Sequence, residues 1–344
     1  MDEISLAQRV LAGERRALAR TISLVENGGQ PATEALATLY PHSGNAHRVG
    51  VTGPPGSGKS TVVNALAAAA RQRDLTIGIV AVDPTSPFTG GAILGDRIRM
   101  QDLAGDPGVF IRSMASRGSL GGLARATSDV VEVLDAGGFD MVLIETVGAG
   151  QSEVDIAKTA HTTIVIEAPG LGDDIQAIKA GILEIADVLV INKADHPFAD
   201  NTFRALRAML DMNSGRPAYT GHHGPQAASS DGQEERATTP AEPDWKVPVL
   251  KTIATEGDGI EALLDTVQQH QTYQIEAGTL AARERARVAS DLETRLREVL
   301  LEQLIERIGP EAFGETIEEV LARRLDPHTA VADLIQKVGP LAGG

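Results

Sequence analysis

The middle of the chain alternates short apolar segments with longer segments whose apolar residues recur at helical spacing. The short segments are rich in Val, Ile and Leu and occupy residues 48–52, 76–82, 140–144, 162–166, 188–191 and 247–253. Continuous apolar runs of this length are typical of strands that are buried on both faces of a sheet. The alternation therefore predicts an α/β fold, with a mostly parallel sheet and helices on both faces.

The two ends of the chain show only the helical pattern. We expect a helical extension over residues 1–45, and a second helical segment over residues 274–344. The second segment carries an apolar stripe made of Leu292, Leu296, Val299, Leu300, Leu304 and Ile308. Such a stripe can contact another subunit or fold back on its own domain, and the pattern alone leaves both possibilities open.

Residues 53–61 read Gly-Pro-Pro-Gly-Ser-Gly-Lys-Ser-Thr and match the phosphate-binding P-loop motif G-x-x-x-x-G-K-[ST]. A strand-like segment precedes the motif and a helix-like segment follows it, so backbone N–H groups at the helix start can bind phosphate. Lys59 would reach the β- and γ-phosphates and take part in catalysis, while the Ser60 hydroxyl would bind Mg²⁺. The residues predicted to bind the phosphates are Gly56, Ser57, Gly58, Lys59, Ser60 and Thr61.

Residues 192–195 read Asn-Lys-Ala-Asp and match the guanine-recognition motif N-K-x-D, directly after a predicted strand. The Asp195 carboxylate would accept from the adjacent N–H donors of guanine, whereas adenine presents an acceptor there. Asn192 would contact the N7/O6 side of the base, and the Lys193 stem would cover the ring. Backbone N–H groups in Thr252-Ile253-Ala254 would support O6. The motif therefore favours GTP over ATP, and residues 46–273 are predicted to form the P-loop GTPase domain.

Three carboxylates are candidates to hold Mg²⁺ together with Ser60, namely Asp83, Asp96 and Glu145. Glu145 begins Glu-x-x-Gly in place of the usual Asp-x-x-Gly, and the Gly148 N–H could sense the γ-phosphate. We therefore assign catalytic roles to Lys59, Asp96, Glu145 and Gly148. The group that activates water stays open among Gln151, Glu153 and other loop residues.

Composition narrows the classes of function. The net charge of −16 argues against nucleic acid or an anionic membrane surface as the partner. The chain has no cysteine, which excludes disulfides and cysteine nucleophiles and fits a cytoplasmic protein. Residues 214–245 are rich in Gly, Pro, Ser, Gln and Thr, and we expect a flexible insertion there.

Longer motifs resemble a known family. Residues 83–87 (Asp-Pro-Thr-Ser-Pro), 90–100 (Gly-Gly-Ala-Ile-Leu-Gly-Asp-Arg-Ile-Arg-Met) and 145–153 (Glu-Thr-Val-Gly-Ala-Gly-Gln-Ser-Glu) are similar to those of the MeaB/ArgK family. These are the methylmalonyl-CoA mutase-associated GTPases. The resemblance covers most of residues 1–213 and 247–340.

The resemblance implies a homodimeric GTPase that binds GTP or GDP with Mg²⁺ and chaperones an adenosylcobalamin-dependent acyl-CoA mutase, most directly methylmalonyl-CoA mutase. GTP hydrolysis would control cofactor loading and would protect or reactivate the mutase. It also implies that Asp83, Asp96 and Glu145 lie in the Mg²⁺ and switch region, that residues 168–179 form a further switch facing the mutase, and that the helices of 274–344 form a dimerisation arm.

Two other classes use the same P-loop. A metal-insertion GTPase chaperone usually holds its metal with Cys or His clusters, and the sequence shows neither. A P-loop small-molecule kinase needs an acceptor site and tolerates ATP, which residues 192–195 disfavour. Both remain alternatives to the chaperone hypothesis.

Overall fold

The protein is represented by a computed structural model, which describes residues 5–84, 100, 102–103, 105–116, 122–146, 156–170, 184–213 and 245–338. Its centre is a seven-stranded sheet in which every paired strand runs parallel to its neighbour. The strands are β1 His47–Thr52, β2 Ile77–Pro84, β3 Val109–Ser116, β4 Met141–Thr146, β5 Thr162–Glu167, β6 Val188–Asn192 and β7 Val249–Thr252. Their spatial order is β3-β2-β4-β1-β5-β6-β7. The structure confirms the predicted α/β class.

Strand β3 is absent from the sequence-based prediction. It lies at the edge of the sheet and pairs with β2 from Ile77↔Val109 to Pro84↔Ser116. Arg112 and Ser113 interrupt its apolar residues and are only partly buried. These two polar residues divide the apolar run into short pieces, so the strand pattern does not stand out.

Helices cover both faces of the sheet and both ends of the chain. In the described residues they are α1 Leu6–Leu11, α2 Arg15–Asn27, α3 Gln30–Leu39, α4 Lys59–Gln72, α5 Gly122–Ala136, α6 Ala199–Asn213, α7 Ile260–Glu276, α8 Thr279–Ile308, α9 Pro310–Leu321 and α10 Pro327–Val338. Gly13 has φ of +78° and separates α1 from α2, where the sequence pattern suggests one continuous helix.

Alternate residues of β1 and β4 point to two separate apolar cores. Val49, Val51 and Leu143 pack in one core with α4 and α7. Val142 and Ile144 pack in the other core with α5 and the amino-terminal helices. Since successive side chains of a strand face opposite sides of the sheet, both faces of the sheet are covered by helices.

A polar cluster with a buried centre and a partly exposed rim lies at the amino-terminal edge of the sheet, which is the end opposite the nucleotide loops. Its members, here called the amino-edge cluster, are His47, His161, Thr162, Asp187, His270, Arg283 and Glu284. The Thr162 hydroxyl lies 2.9 Å from His47 Nε2 and 2.8 Å from His270 Nδ1. On the first turns of α8, Arg283 donates to Asp187 at 2.8 Å, and Glu284 lies 2.8 Å from His161 Nε2.

The chain divides into two compact units, Met1–Arg287 and Val288–Gly344. The first contains the sheet, and the second contains most of α8 together with α9 and α10. Within the described ranges, none of the helices combines the length and the apolar character that crossing a bilayer requires.

Candidate functional site

The P-loop lies between β1 and α4, at the carboxyl end of the sheet. Gly53, Gly56 and Gly58 have φ of +142°, +81° and +91°, a region that favours glycine. A Cβ on Gly53 would overlap the carbonyl oxygen of Ile166. Gly58 is the N-cap of α4 and provides no side-chain cap, and the N–H groups at a helix start favour an anion.

Two of the P-loop side chains, Lys59 and Ser60, are held by protein groups. Lys59 is 7% exposed, and its Nζ donates to the carbonyls of Gly53 and Pro54 at 2.9 and 3.1 Å. The Ser60 hydroxyl donates to Glu145 Oε1 at 2.6 Å. Thr61 follows in the first turn of α4 and is partly exposed.

Glu145 lies in β4, next to β1 in the sheet, and is 6% exposed. Its bond to Ser60 shows that the first residue of the Glu-x-x-Gly segment lies against the P-loop. Serine hydroxyl and carboxylate oxygens are the ligands that Mg²⁺ prefers, so this donor set fits the predicted metal. The other two predicted ligands are Asp83 and Asp96. The Asp83 side chain and all of Asp96 lie outside the described residues.

The guanine motif follows β6 and contacts the P-loop. Asn192 is 3% exposed, its Nδ2 donates to Ser57 O at 2.9 Å, and a Cβ on Gly58 would overlap Nδ2. Lys193 has φ of +58°, and its Nζ donates to Gly56 O at 2.8 Å. Asp195 is exposed on the turn after the strand. The structure therefore brings two motifs together that are about 130 residues apart in the sequence.

The segment after β7 is also joined to Asn192. Thr252 Oγ1 and the Ala254 N–H both donate to Asn192 Oδ1 at 3.2 Å. The Ile253 N–H donates to Asp258 O at 3.0 Å. Support of the guanine O6 by Ile253 or Ala254 therefore requires that these bonds be exchanged for bonds to the base.

Several predicted residues cannot be placed. Gly148 and most of the predicted switch at 168–179 lie outside the described residues, as do Gln151 and Glu153. The insertion is described only from Trp245, whose indole Nε1 donates to Asp187 O at 2.8 Å.

Sequence analysis missed two threonines below the site. Thr52 ends β1 and Thr146 ends β4, and the Thr146 hydroxyl donates to the Thr52 hydroxyl at 3.1 Å. Each directly adjoins a predicted motif residue, Gly53 or Glu145. Polar residues at the ends of buried parallel strands were the available signal.

Comparison with known proteins decides the family. The family model described as Methylmalonyl Co-A mutase-associated GTPase MeaB matches residues 18–308. This chain belongs to the MeaB family. The match confirms the resemblance, so the chain is a P-loop GTPase that binds guanine nucleotide.

Relatives agree with this assignment. A protein of Pyrococcus abyssi, provisionally named a GTPase, is 46% identical over 332 residues, which cover 96% of this chain and 95% of the relative. The mouse protein named methylmalonic aciduria type A homolog, mitochondrial, is 32% identical over 96% of this MeaB-family chain and 70% of its own length. A crystal structure of a protein described as an LAO/AO transport system kinase superimposes with a TM-score of 0.68, at 26% identity and 99% coverage of both chains.

Proposed function

We propose that this MeaB-family GTPase is a chaperone of an adenosylcobalamin-dependent acyl-CoA mutase, most directly methylmalonyl-CoA mutase. It gates cofactor loading and protects or reactivates the mutase, and GTP hydrolysis sets its state. The observation that carries the proposal is the 2.6 Å bond between Ser60 and Glu145. It links the P-loop to the strand that leads into the predicted switch, so the occupant of the P-loop can alter that segment.

Each side chain of the site has a part in this function. Phosphate entry would draw Lys59 Nζ from the carbonyls of Gly53 and Pro54 to the β- and γ-phosphates, while the N–H groups at the start of α4 bind the same oxygens. Ser60 and Glu145 would hold Mg²⁺, which neutralises phosphate charge when it is bound. Asp83, Asp96 and Gly148 keep their predicted roles as further ligands and γ-phosphate sensor.

Base selection is assigned to Asn192, Lys193 and Asp195. Asn192 Nδ2 has two hydrogens and uses one of them on Ser57 O, which leaves the second for guanine N7. Lys193 spans the gap to Gly56, so its stem is placed to cover the base. The exposed Asp195 carboxylate accepts from N1–H and N2–H₂ of the guanine.

The client is proposed from names as well as from geometry. The family description links MeaB to methylmalonyl-CoA mutase, and the mouse relative is named for methylmalonic aciduria. Residues 168–179 would face the mutase. We propose no nucleic-acid or membrane partner, and the cytoplasmic location stays a prediction.

A homodimer is proposed because apolar side chains are exposed in the second unit. Of the 15 large apolar residues that are exposed among the described ones, 11 lie in Val288–Gly344. On α8 the exposed set is Leu292, Leu296, Val299, Leu300, Leu301 and Ile305. An apolar surface of this kind is typical of a subunit interface.

The test is GTP hydrolysis at fixed Mg²⁺ with and without purified methylmalonyl-CoA mutase. We expect slow turnover by the chain alone and a several-fold acceleration with mutase, because the partner would complete the active site. Lys59→Ala is the control, since it removes the phosphate ligand and should abolish turnover in both arms. Unchanged turnover across a titration of mutase would exclude this client, and a faster rate with ATP than with GTP would favour a kinase.

A further inference from the structure

The β1–β4 ladder ends immediately below the nucleotide site. Its register runs from His47↔Met141 to Val51↔Glu145. Thr52 and Thr146 follow as the last residues of the two strands, with 0% and 4% exposure. The 3.1 Å hydrogen bond between their hydroxyls follows directly after the last paired residues of the ladder, Val51 and Glu145.

This hydroxyl bond and the Ser60–Glu145 bond lie on opposite faces of the sheet. Glu145 faces α4 with Val51 and Leu143, and its carboxylate meets Ser60 there. Successive residues alternate in direction, so Thr146 shares the other face with Ile144, which packs toward α5. The end of β4 is therefore held from both sides, once to β1 and once to the start of α4.

We propose that the Thr52–Thr146 pair positions the end of β4, so that Glu145 reaches Ser60. Both are positioning residues, and their effect on nucleotide rests on the proposed function. Pairing with β2 holds one edge of β4 as far as Val82↔Thr146, whereas the ladder with β1 stops at Val51↔Glu145. The hydroxyl bond extends the link to β1 by one residue, and together with the Ser60 contact it fixes the direction of the Glu145 side chain. Inside the core a lost partner is costly, because water cannot replace it.

The first experiment is structural and needs no nucleotide. In a crystal structure of Thr52→Val/Thr146→Val, we expect the Ser60–Glu145 hydrogen bond to be lost. Replacing both hydroxyls by methyl groups of similar shape leaves no unpaired buried polar atom, so the variant should fold. If Glu145 still bonds Ser60 at the wild-type distance, the inference is overturned.

The second experiment measures binding of a fluorescent GTP analogue with Mg²⁺ and with EDTA. We expect the double variant to lose about tenfold of the Mg²⁺-dependent gain in affinity, with affinity in EDTA unchanged within about twofold. The single variant Thr146→Ser keeps the hydroxyl and should keep the wild-type gain in affinity from Mg²⁺. An equal loss in both conditions would indicate a merely structural role and would overturn the inference.

Thr21→Val is the matched control. Thr21 is fully buried on α2, and its hydroxyl has no hydrogen-bond partner among the described residues. We expect wild-type binding from this variant under both conditions. A wild-type protein that binds GTP without any gain from Mg²⁺ would contradict the proposed function instead, and the crystal structure would still decide the positioning role.

Discussion

At the scale of single residues, Asn192 connects most of the nucleotide loops. Its amide donates to Ser57 O and accepts from Thr252 and Ala254. Its Nδ2 also lies against Gly58, where any Cβ would overlap it. Asn192 therefore serves the P-loop as much as the base. Asp195 is different, because it is exposed and free to be changed without disturbing the core.

Asp195→Asn should weaken GTP binding by at least about a hundredfold, because the carboxylate that accepts two guanine donors is replaced by an amide. Xanthosine triphosphate should gain affinity, since its C2 carbonyl accepts from the new amide. Equilibrium binding of both nucleotides checks this. Asp200→Asn makes the same charge change on an exposed carboxylate nearby and should bind GTP normally. Wild-type GTP affinity in Asp195→Asn would show that the base assignment is wrong.

At the scale of elements, the amino-edge cluster anchors the first turns of α8 to β1, β5 and the start of β6. His270 Nε2 faces the Asp187 carboxylate, so it carries the proton and Nδ1 accepts from Thr162. Thr162 in turn accepts from His47 Nε2. His161 Nδ1 accepts the Arg48 N–H, which leaves its Nε2 to donate to Glu284. The assigned network is made by neutral imidazoles.

Burial lowers the pKa of His270 to about 4. The negative charge of Asp187 raises this pKa and the positive charge of Arg283 lowers it, but burial is the largest effect. Burial and the neighbouring His161 and His270 lower the pKa of His47 to about 3. Burial alone would raise the pKa of Glu284, but hydrogen bonds from His161 and Arg287 bring it down to about 2. All three groups therefore release their protons more readily in the folded chain than in the unfolded chain.

The free energy of unfolding should fall as pH drops below about 6.5, because His47 and His270 then bind protons in the unfolded chain that they do not bind in the folded chain. Below about 4.5 the loss of Glu284 stabilisation adds to this. The lowered pKa of His270 alone reduces the free energy of unfolding by on the order of 3 kcal/mol as pH falls from 6.5 to about 4. Urea unfolding from pH 7.5 to 4 measures the slope. His270→Gln should flatten it, whereas equal slopes in His270→Gln and wild type would contradict the assignment.

At the scale of the whole molecule, exposed apolar residues concentrate in one of the two units. Within that unit, α10 buries Ala330 and Leu334 and leaves Val331 and Ile335 exposed. On α8, Leu296 and Val299 are 59% and 49% exposed. Such side chains gain about 1.5–3 kcal/mol each when they are fully buried, so a subunit contact there would be stable.

Leu296→Glu/Val299→Glu should therefore shift a dimer to monomer, raising the dissociation constant at least about a hundredfold, since a twofold interface loses each contact twice. Analytical ultracentrifugation measures this. Gln303→Glu adds one negative charge at an exposed polar position of α8, against two in the double variant, and should remain dimeric. A wild-type chain that sediments as a monomer at micromolar concentration would refute the homodimer.

The local features of this protein follow from the order of its residues alone. Apolar runs gave the buried strands, and the glycine-rich turn between strand and helix gave the P-loop, because these depend on neighbouring residues alone. Strand β3 was not predicted, because the polar residues Arg112 and Ser113 interrupt its apolar residues. Only tertiary structure decided which distant groups meet: Ser60 with Glu145, Gly58 with Asn192, and His161 with Glu284. The order of strands in the sheet sets these contacts, and no local pattern encodes that order.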